Sequence, residues 1–183
     1  SARAVGDDLE IFNLNRKQIA RFHFLRQQVK KADHQLSLSD FIAPKDSGKQ
    51  DWLGMFALTT GHGLNKLLQR FDMENDDYNS IMAKALADRL AEAFGEKLHE
   101  ITRRQYWGYA ADENLSNEDM LKEKYCGIRP APGYPACPDH SEKEILFKLL
   151  EVEKNIGIQL TSSFAMGPPA SICGWYFSHP ESK

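Results

Sequence analysis

The sequence predicts an α+β domain: a mostly antiparallel twisted sheet packed by helices. Three observations predict it. Runs rich in β-formers stand near both ends of the chain. One long central stretch, near 77–107, has no proline and many strong helix formers. Strands and helices do not alternate regularly and no GxGxxG follows a strand, which disfavours a doubly wound nucleotide fold.

Asp8 to Phe12 alternate polar and apolar, as a half-buried strand does. From Arg16 to Lys31, Ile19, Phe22, Leu25 and Val29 recur every three or four positions, which predicts an amphipathic helix. Residues 39–51 read as a loop broken by Pro44 and Gly48. Trp52 to Thr60 is a mostly apolar run ending at Gly61-His62-Gly63, read as a buried strand. The long helix follows, from Asp77 to about Trp107, with Met82, Leu86, Leu90, Phe94, Leu98 and Ile101 as one apolar arc. Ser116 followed by Asp119 resembles an N-cap signal and Gly127 a stop, predicting a short helix over 117–125. Ser141-x-x-Glu144 is a capping-box pattern. It opens a helix with Ile145, Leu149, Val152 and Ile156 on one face, and Gly157 terminates it. Residues 158–166 read as a strand and a bend, Gly167-Pro168-Pro169 as a turn, and residues 171–178 as a last strand.

The 183 residues fit one domain over 1–183. The chain opens on Ser1 without an initiator Met and stops soon after an aromatic run, so it reads as a fragment of something larger. Apolar residues make up 42%, charged residues 27%, and the net charge is -3. These values draw the chain to neither nucleic acid nor, with no long apolar run, a membrane. Three cysteines without a CxxC pair read as free thiols in a reducing compartment, the cytoplasm.

Four of the eight prolines fall between 130 and 138, in IRPAPGYPACPDH. Each fixes its own φ and biases its predecessor to extended geometry. The segment is therefore a stiff extended loop, shaped before any ligand arrives. Arg129 offers a planar fork for a carboxylate, Gly133 close backbone approach, and Tyr134 a flat ring with a polar tip. Carbonyls along the segment are available acceptors. Together these suit a flat polar molecule bearing a carboxylate. The plainer reading is a rigid connector. On the long helix, Asp88, Glu92, Gly95 and His99 share a face roughly opposite the arc. A carboxylate there could receive an ammonium or a hydroxyl, though a solvated face is the plainer reading. Cys137-x-x-His140 is one half of a zinc pattern with no second pair, so no metal site is expected. Asp76-Asp77 reads as the acidic start of the helix rather than a Mg²⁺ site. No GxSxG, P-loop or catalytic cysteine signature is present.

The run RPAPGYPACPDH, a helix, and then LTSSFAMGPPASICGWYFSHPESK closely resemble the C-terminal reactivation domain of cobalamin-dependent methionine synthase. DDYNSIMAKALADRLAEAFGEKLHE, YWGYAADENLSNED and DFIAPKDSGKQDWLGMFA look like the same domain, so the resemblance spans essentially the whole chain. It implies an α+β, helmet-like fold with a shallow groove for S-adenosylmethionine. It also implies a role in reactivating an enzyme that moves methyl from methyltetrahydrofolate to homocysteine through cobalamin. There, oxidised cob(II)alamin takes an electron from a flavodoxin-type reductant and a methyl group from S-adenosylmethionine. By this resemblance Arg129 faces the methionine carboxylate, Ala131, Gly133 and Tyr134 line the cofactor, and Glu92 is a ligand-side carboxylate. Asp88 lies on a face that meets the cobalamin domain. The family's domain extends further at both ends, to an aspartate and a pair of tyrosines that also line the site. A fragment truncated at both ends, inactive alone in methionine synthesis, is the resulting expectation. The alternative is an interaction module that docks partner domains and binds no small molecule.

Overall fold

Three strands, β1 (Ala2–Val5), β2 (Asp8–Phe12) and β3 (Gln18–His23), pair antiparallel in the order β1-β2-β3. The computed structural model describes residues 1–28 and 35–182. β3 stands where a helix was expected. Leu9 and Ile11 pair with Phe22 and Ala20, so the true period is two. Ala20, Phe22 and Phe24 turn inward, while Ile19 and Leu25, which completed the helical spacing, are exposed. Val29 and Lys31 of the expected helix lie outside the described residues.

Residues 39–51 form the expected loop, with two short 3₁₀ turns. A capping box does form in its first turn, where Ser37 N–H donates to Asp40 Oδ2 at 2.9 Å. Strand β4 (Gly54–Thr59) follows, with Phe56 and Leu58 buried and the alternate residues only partly so. Helix α1 (Leu64–Met73), which the sequence reading missed, then packs on α2 (Asp77–Ile101). Asp76 caps α2, its Oδ1 accepting from Asn79 N–H at 3.0 Å. The helix runs on through a wider π turn over Thr102–Tyr106, where Trp107 N–H reaches back to the Thr102 carbonyl at 2.8 Å. Helix α3 (Asn117–Leu121) is shorter than expected. Ser116 Oγ caps it at 3.2 Å, but Glu123 takes a left-handed φ of 50° and the chain leaves the helix before Gly127.

Helix α4 (Glu142–Leu150) and helix α5 (Val152–Ile156) replace one continuous helix, broken at Glu151 with φ 47°. The expected box at Ser141 does not form, because Ser141 is already helical and its side chain makes no cap bond. Gly157 ends α5 at φ 67°, as read. Two-residue strands β5 (Gln159–Leu160) and β6 (Met166–Gly167) make a small hairpin. The last strand, β7 (Ser171–Tyr176), runs antiparallel to β4 along its whole length.

The main core joins the first sheet to β7 and α4. Leu9, Phe22, Leu146, Ile158, Trp175 and Phe177 are its most buried members, with Phe24 beside them. A smaller cluster of Phe56, Leu58, Ala91 and Tyr176 lies between β4, β7 and α2. The face that α2 buries is Ser80, Ala87, Ala91, Gly95 and His99. At 100° per residue, the apolar arc lies one position around from this stripe, and Asp88 and Glu92 one position the other way. Small residues win the contact because the helix sits close on the sheet: a Cβ at Gly95 would already touch Leu58 and Ile172. Met82, Leu86, Leu90 and Phe94 are left exposed, Leu90 by 60%.

Candidate functional site

The proline segment leaves β7 because its prolines cannot complete a ladder. Ile128 exchanges both backbone hydrogen bonds with Phe177, each 3.0 Å. Pro130 accepts from Trp175 N–H at 3.0 Å but has no N–H to return. Pairing stops there. Gly174 lies beneath this crossing, and a Cβ on it would run into the Pro130 carbonyl. Beyond it the chain turns: Gly133 N–H bonds the Cys137 carbonyl at 2.7 Å, and Cys137 N–H bonds that of Tyr134 at 2.9 Å. The loop is thus stiff and extended, as expected, but the carbonyls of Ile128, Pro130, Tyr134, Cys137 and His140 are already engaged by backbone donors.

A groove opens between this loop and α2. Two adjoining cavities of about 500 and 440 Å³ form it, sharing Glu92, Ala131, Tyr134 and Ile172. Arg129 borders the first; Asp88 and Gly133 border the second. Arg129, Ala131, Gly133, Tyr134, Asp88, Glu92 and Gly95 therefore meet at one groove, whereas His99, expected on the same helix face, is fully buried and does not line it. Asp88, Glu92 and Tyr134 are exposed there, so the acidic edge is solvated and lines the groove as well.

Two expected roles need correction. Gly133, at φ 97°, does not leave open space for a ligand. The His140 ring fills the volume a Cβ would need, so glycine is required by that ring and by the left-handed backbone. Arg129 is not an open fork either. Its Nη2 meets Glu96 Oε2 at 2.6 Å and its Nη1 donates to the Tyr125 hydroxyl at 2.8 Å. Burial works to lower the Arg129 pKa, but Tyr125 and Glu96 more than offset this and hold it above the ordinary arginine value. Glu96 and Tyr125 were missed by the sequence reading. Glu96 lies four positions beyond Glu92 on the same helix edge, which was a usable signal.

Beneath the groove lies a buried polar layer. Arg103, fully buried, donates from Nε and Nη2 to Glu113 at 3.0 and 2.7 Å and stacks over the Tyr125 ring at 3.9 Å. His99 is fully buried, parallel to the Tyr176 ring and edge-on to Tyr125, each at 5.1 Å. Burial, and then the charges of Arg103 and Arg129, push its pKa down to about 3, so the ring is neutral. Lys143 Nζ donates to the Phe164 carbonyl at 3.1 Å at the wall of the second cavity.

Burial pushes the Cys137 and Cys173 thiols up to about 12, far from thiolate nucleophiles. No group of three or more His, Cys, Asp or Glu gathers to hold a metal among the described residues. A fixed cation, an exposed aromatic ring and a carboxylate edge together suit a flat polar ligand with a carboxylate.

Comparison with known proteins agrees in fold and extent. The family described as vitamin B12 dependent methionine synthase, activation domain, matches residues 1–183. A crystal structure of the MetH reactivation domain bound to AdoHcy is 58% identical, with a TM-score of 0.95. The match covers 100% of this chain and 57% of that one, so the chain spans a little over half the length of that relative.

Proposed function

Since the chain belongs to the activation-domain family of vitamin B12-dependent methionine synthases, we propose that it binds S-adenosylmethionine in the groove between α2 and the proline segment. The parent enzyme would use it to reactivate oxidised cob(II)alamin by reductive methylation, within a cytoplasmic cycle that transfers methyl from methyltetrahydrofolate to homocysteine. The observation that carries the reading is the convergence of Arg129, Ala131, Tyr134 and Glu92 on one groove, together with the AdoHcy held by a 58% identical relative.

The residues fit such a ligand. Arg129 would take the methionyl carboxylate through donors not used by Glu96 and Tyr125. Tyr134 would lie against the flat adenosyl portion, with Ala131 and Gly133 in the wall beside it. Glu92 would face the hydroxyl or cationic part, and the acidic edge of α2 favours a sulfonium cation over a neutral thioether. When bound, S-adenosylmethionine supplies an electrophilic methyl group. This chain's part is to hold that donor in a groove whose backbone is already shaped. Asp88 would meet the cobalamin domain of the parent enzyme, with a flavodoxin-type partner as the source of the electron. The chain alone, spanning 57% of that relative's length, would not make methionine.

Calorimetry with S-adenosylmethionine tests the reading. Saturable binding is expected, and Arg129→Ala should weaken it by about 1.5–3 kcal/mol, roughly 10- to 150-fold. Absence of heat, or an Arg129→Ala variant that binds as tightly as the parent, overturns it. The exposed arc of Leu86, Leu90 and Phe94 favours a second reading, an interaction module that docks partner domains without a small molecule. A null titration with intact partner binding would select it.

A further inference from the structure

The fork on which the proposed function relies is held from behind. Glu96 and Tyr125 each anchor one terminal nitrogen of Arg129, at 2.6 and 2.8 Å. They come from different elements, Glu96 from α2 and Tyr125 from the stretch after α3. Tyr125 is itself pinned, with the His99 ring edge-on at 5.1 Å and the Arg103 guanidinium 3.9 Å over its face. The second oxygen of Glu96 is shielded from solvent and takes no hydrogen bond among the described residues. Among the described residues, the ion pair that the Glu96 carboxylate makes is with Arg129.

A guanidinium has five donors in one plane. Two anchors on its terminal nitrogens fix that plane and leave the other donors free. We propose that Glu96 and Tyr125 are positioning residues that hold the Arg129 guanidinium in one orientation, and so set the groove's selectivity for adenosyl ligands bearing an amino-acid carboxylate. This rests on the groove being the S-adenosylmethionine site. Glu96 also offsets the arginine charge. The resulting pair suits a ligand whose carboxylate travels with its own ammonium better than it suits a bare polyanion.

Two ligands read the selectivity as a ratio of affinities. S-adenosylhomocysteine carries the amino-acid end. 5′-Methylthioadenosine keeps the adenosine and the thioether but lacks that end. Calorimetry with both should show that Glu96→Ala lowers the ratio about tenfold, by weakening S-adenosylhomocysteine alone. Glu96→Gln keeps an acceptor in place and should hold the ratio within about threefold of the parent; Tyr125→Phe should lower it by about threefold. An unchanged ratio in Glu96→Ala overturns the clamp. Equal weakening of both ligands also overturns it, because Glu96 then only supports the local fold. A parent chain that binds both ligands equally would instead overturn the placement of the carboxylate on Arg129, and the clamp with it. A parent chain that binds neither would overturn the proposed function itself.

Discussion

The sheet half of the molecule and the α2 half are held together by different forces. Under β1-β2-β3, Phe22 and Phe24 meet the Trp175 ring edge-on at 5.3 and 5.0 Å, and Leu9 and Phe177 close the space with no exposed surface. Under α2 the apolar cluster is small, and much of the remaining volume is His99, Arg103, Glu113 and Tyr125. Apolar burial is non-directional and stabilises the compact state without selecting one side-chain orientation. Charged hydrogen bonds are directional and fix where a guanidinium points. The groove lies on the half built the second way, and Arg129 is oriented there by the same kind of contact.

Substitutions can break this contrast. Trp175→Ala should have the largest effect, about 3–5 kcal/mol of stability in urea unfolding, because it empties the centre of the apolar half. Arg103→Met comes next, at roughly 3 kcal/mol, since it strands the Glu113 carboxylate, 9% exposed, without its partner. Urea midpoints for the two would order them. A negligible loss in Arg103→Met would mean that the α2 half is apolar in its energetics too. The third test uses pH. The folded pKa of His99, about 3, lies below its ordinary 6.5. Its neutral ring contributes fully above pH 6.5, and that contribution is lost as pH falls from 6.5 towards 3. Between pH 7 and 5 the parent should lose roughly 2 kcal/mol more than His99→Phe, which stacks similarly and does not titrate. Parallel pH curves for parent and variant would remove His99 from the polar layer. Leu90→Lys, on the exposed arc, should change stability by no more than about 0.5 kcal/mol. A large loss there would return the arc to the core.

That last test touches what the sequence could and could not show. The α+β class, the extent of α2 and the strands on either side of it, β4 and β7, were legible, because periodicity and β-propensity are local signals. The proline segment and the acidic helix edge stood out only as candidates beside plainer readings, and the family resemblance, not their spacing, put them with Ala131 at a cofactor groove. The buried side of α2 was not. A stripe of Ala87, Ala91 and Gly95 is chosen by how closely the sheet approaches, and neither hydropathy nor spacing carries that distance. β3 was misread because Ile19 and Leu25, both exposed, happen to complete a helical spacing around Phe22. Helix α1 was missed although Leu64, Leu67, Leu68 and Phe71 recur at helical spacing, and of these only Leu64 is buried in the fold. The clamp on Arg129 was invisible for another reason: Glu96 and Tyr125 become its neighbours only when the proline segment is laid across β7.

The pairing of β4 with β7 has a kinetic consequence. Thr59 and Ser171 touch across 112 positions of chain, and the Trp175 and Phe177 rings that fill the first sheet's core arrive with the same late segment. Neither half can close its core until nearly all of the chain is available. Pairing over such separations is slow, since a long loop must be closed before its contacts stabilise anything. During synthesis, Phe22 and Phe24 wait for their partners with their rings uncovered. The interval before β7 emerges is when this chain is most open to aggregation and most dependent on chaperones.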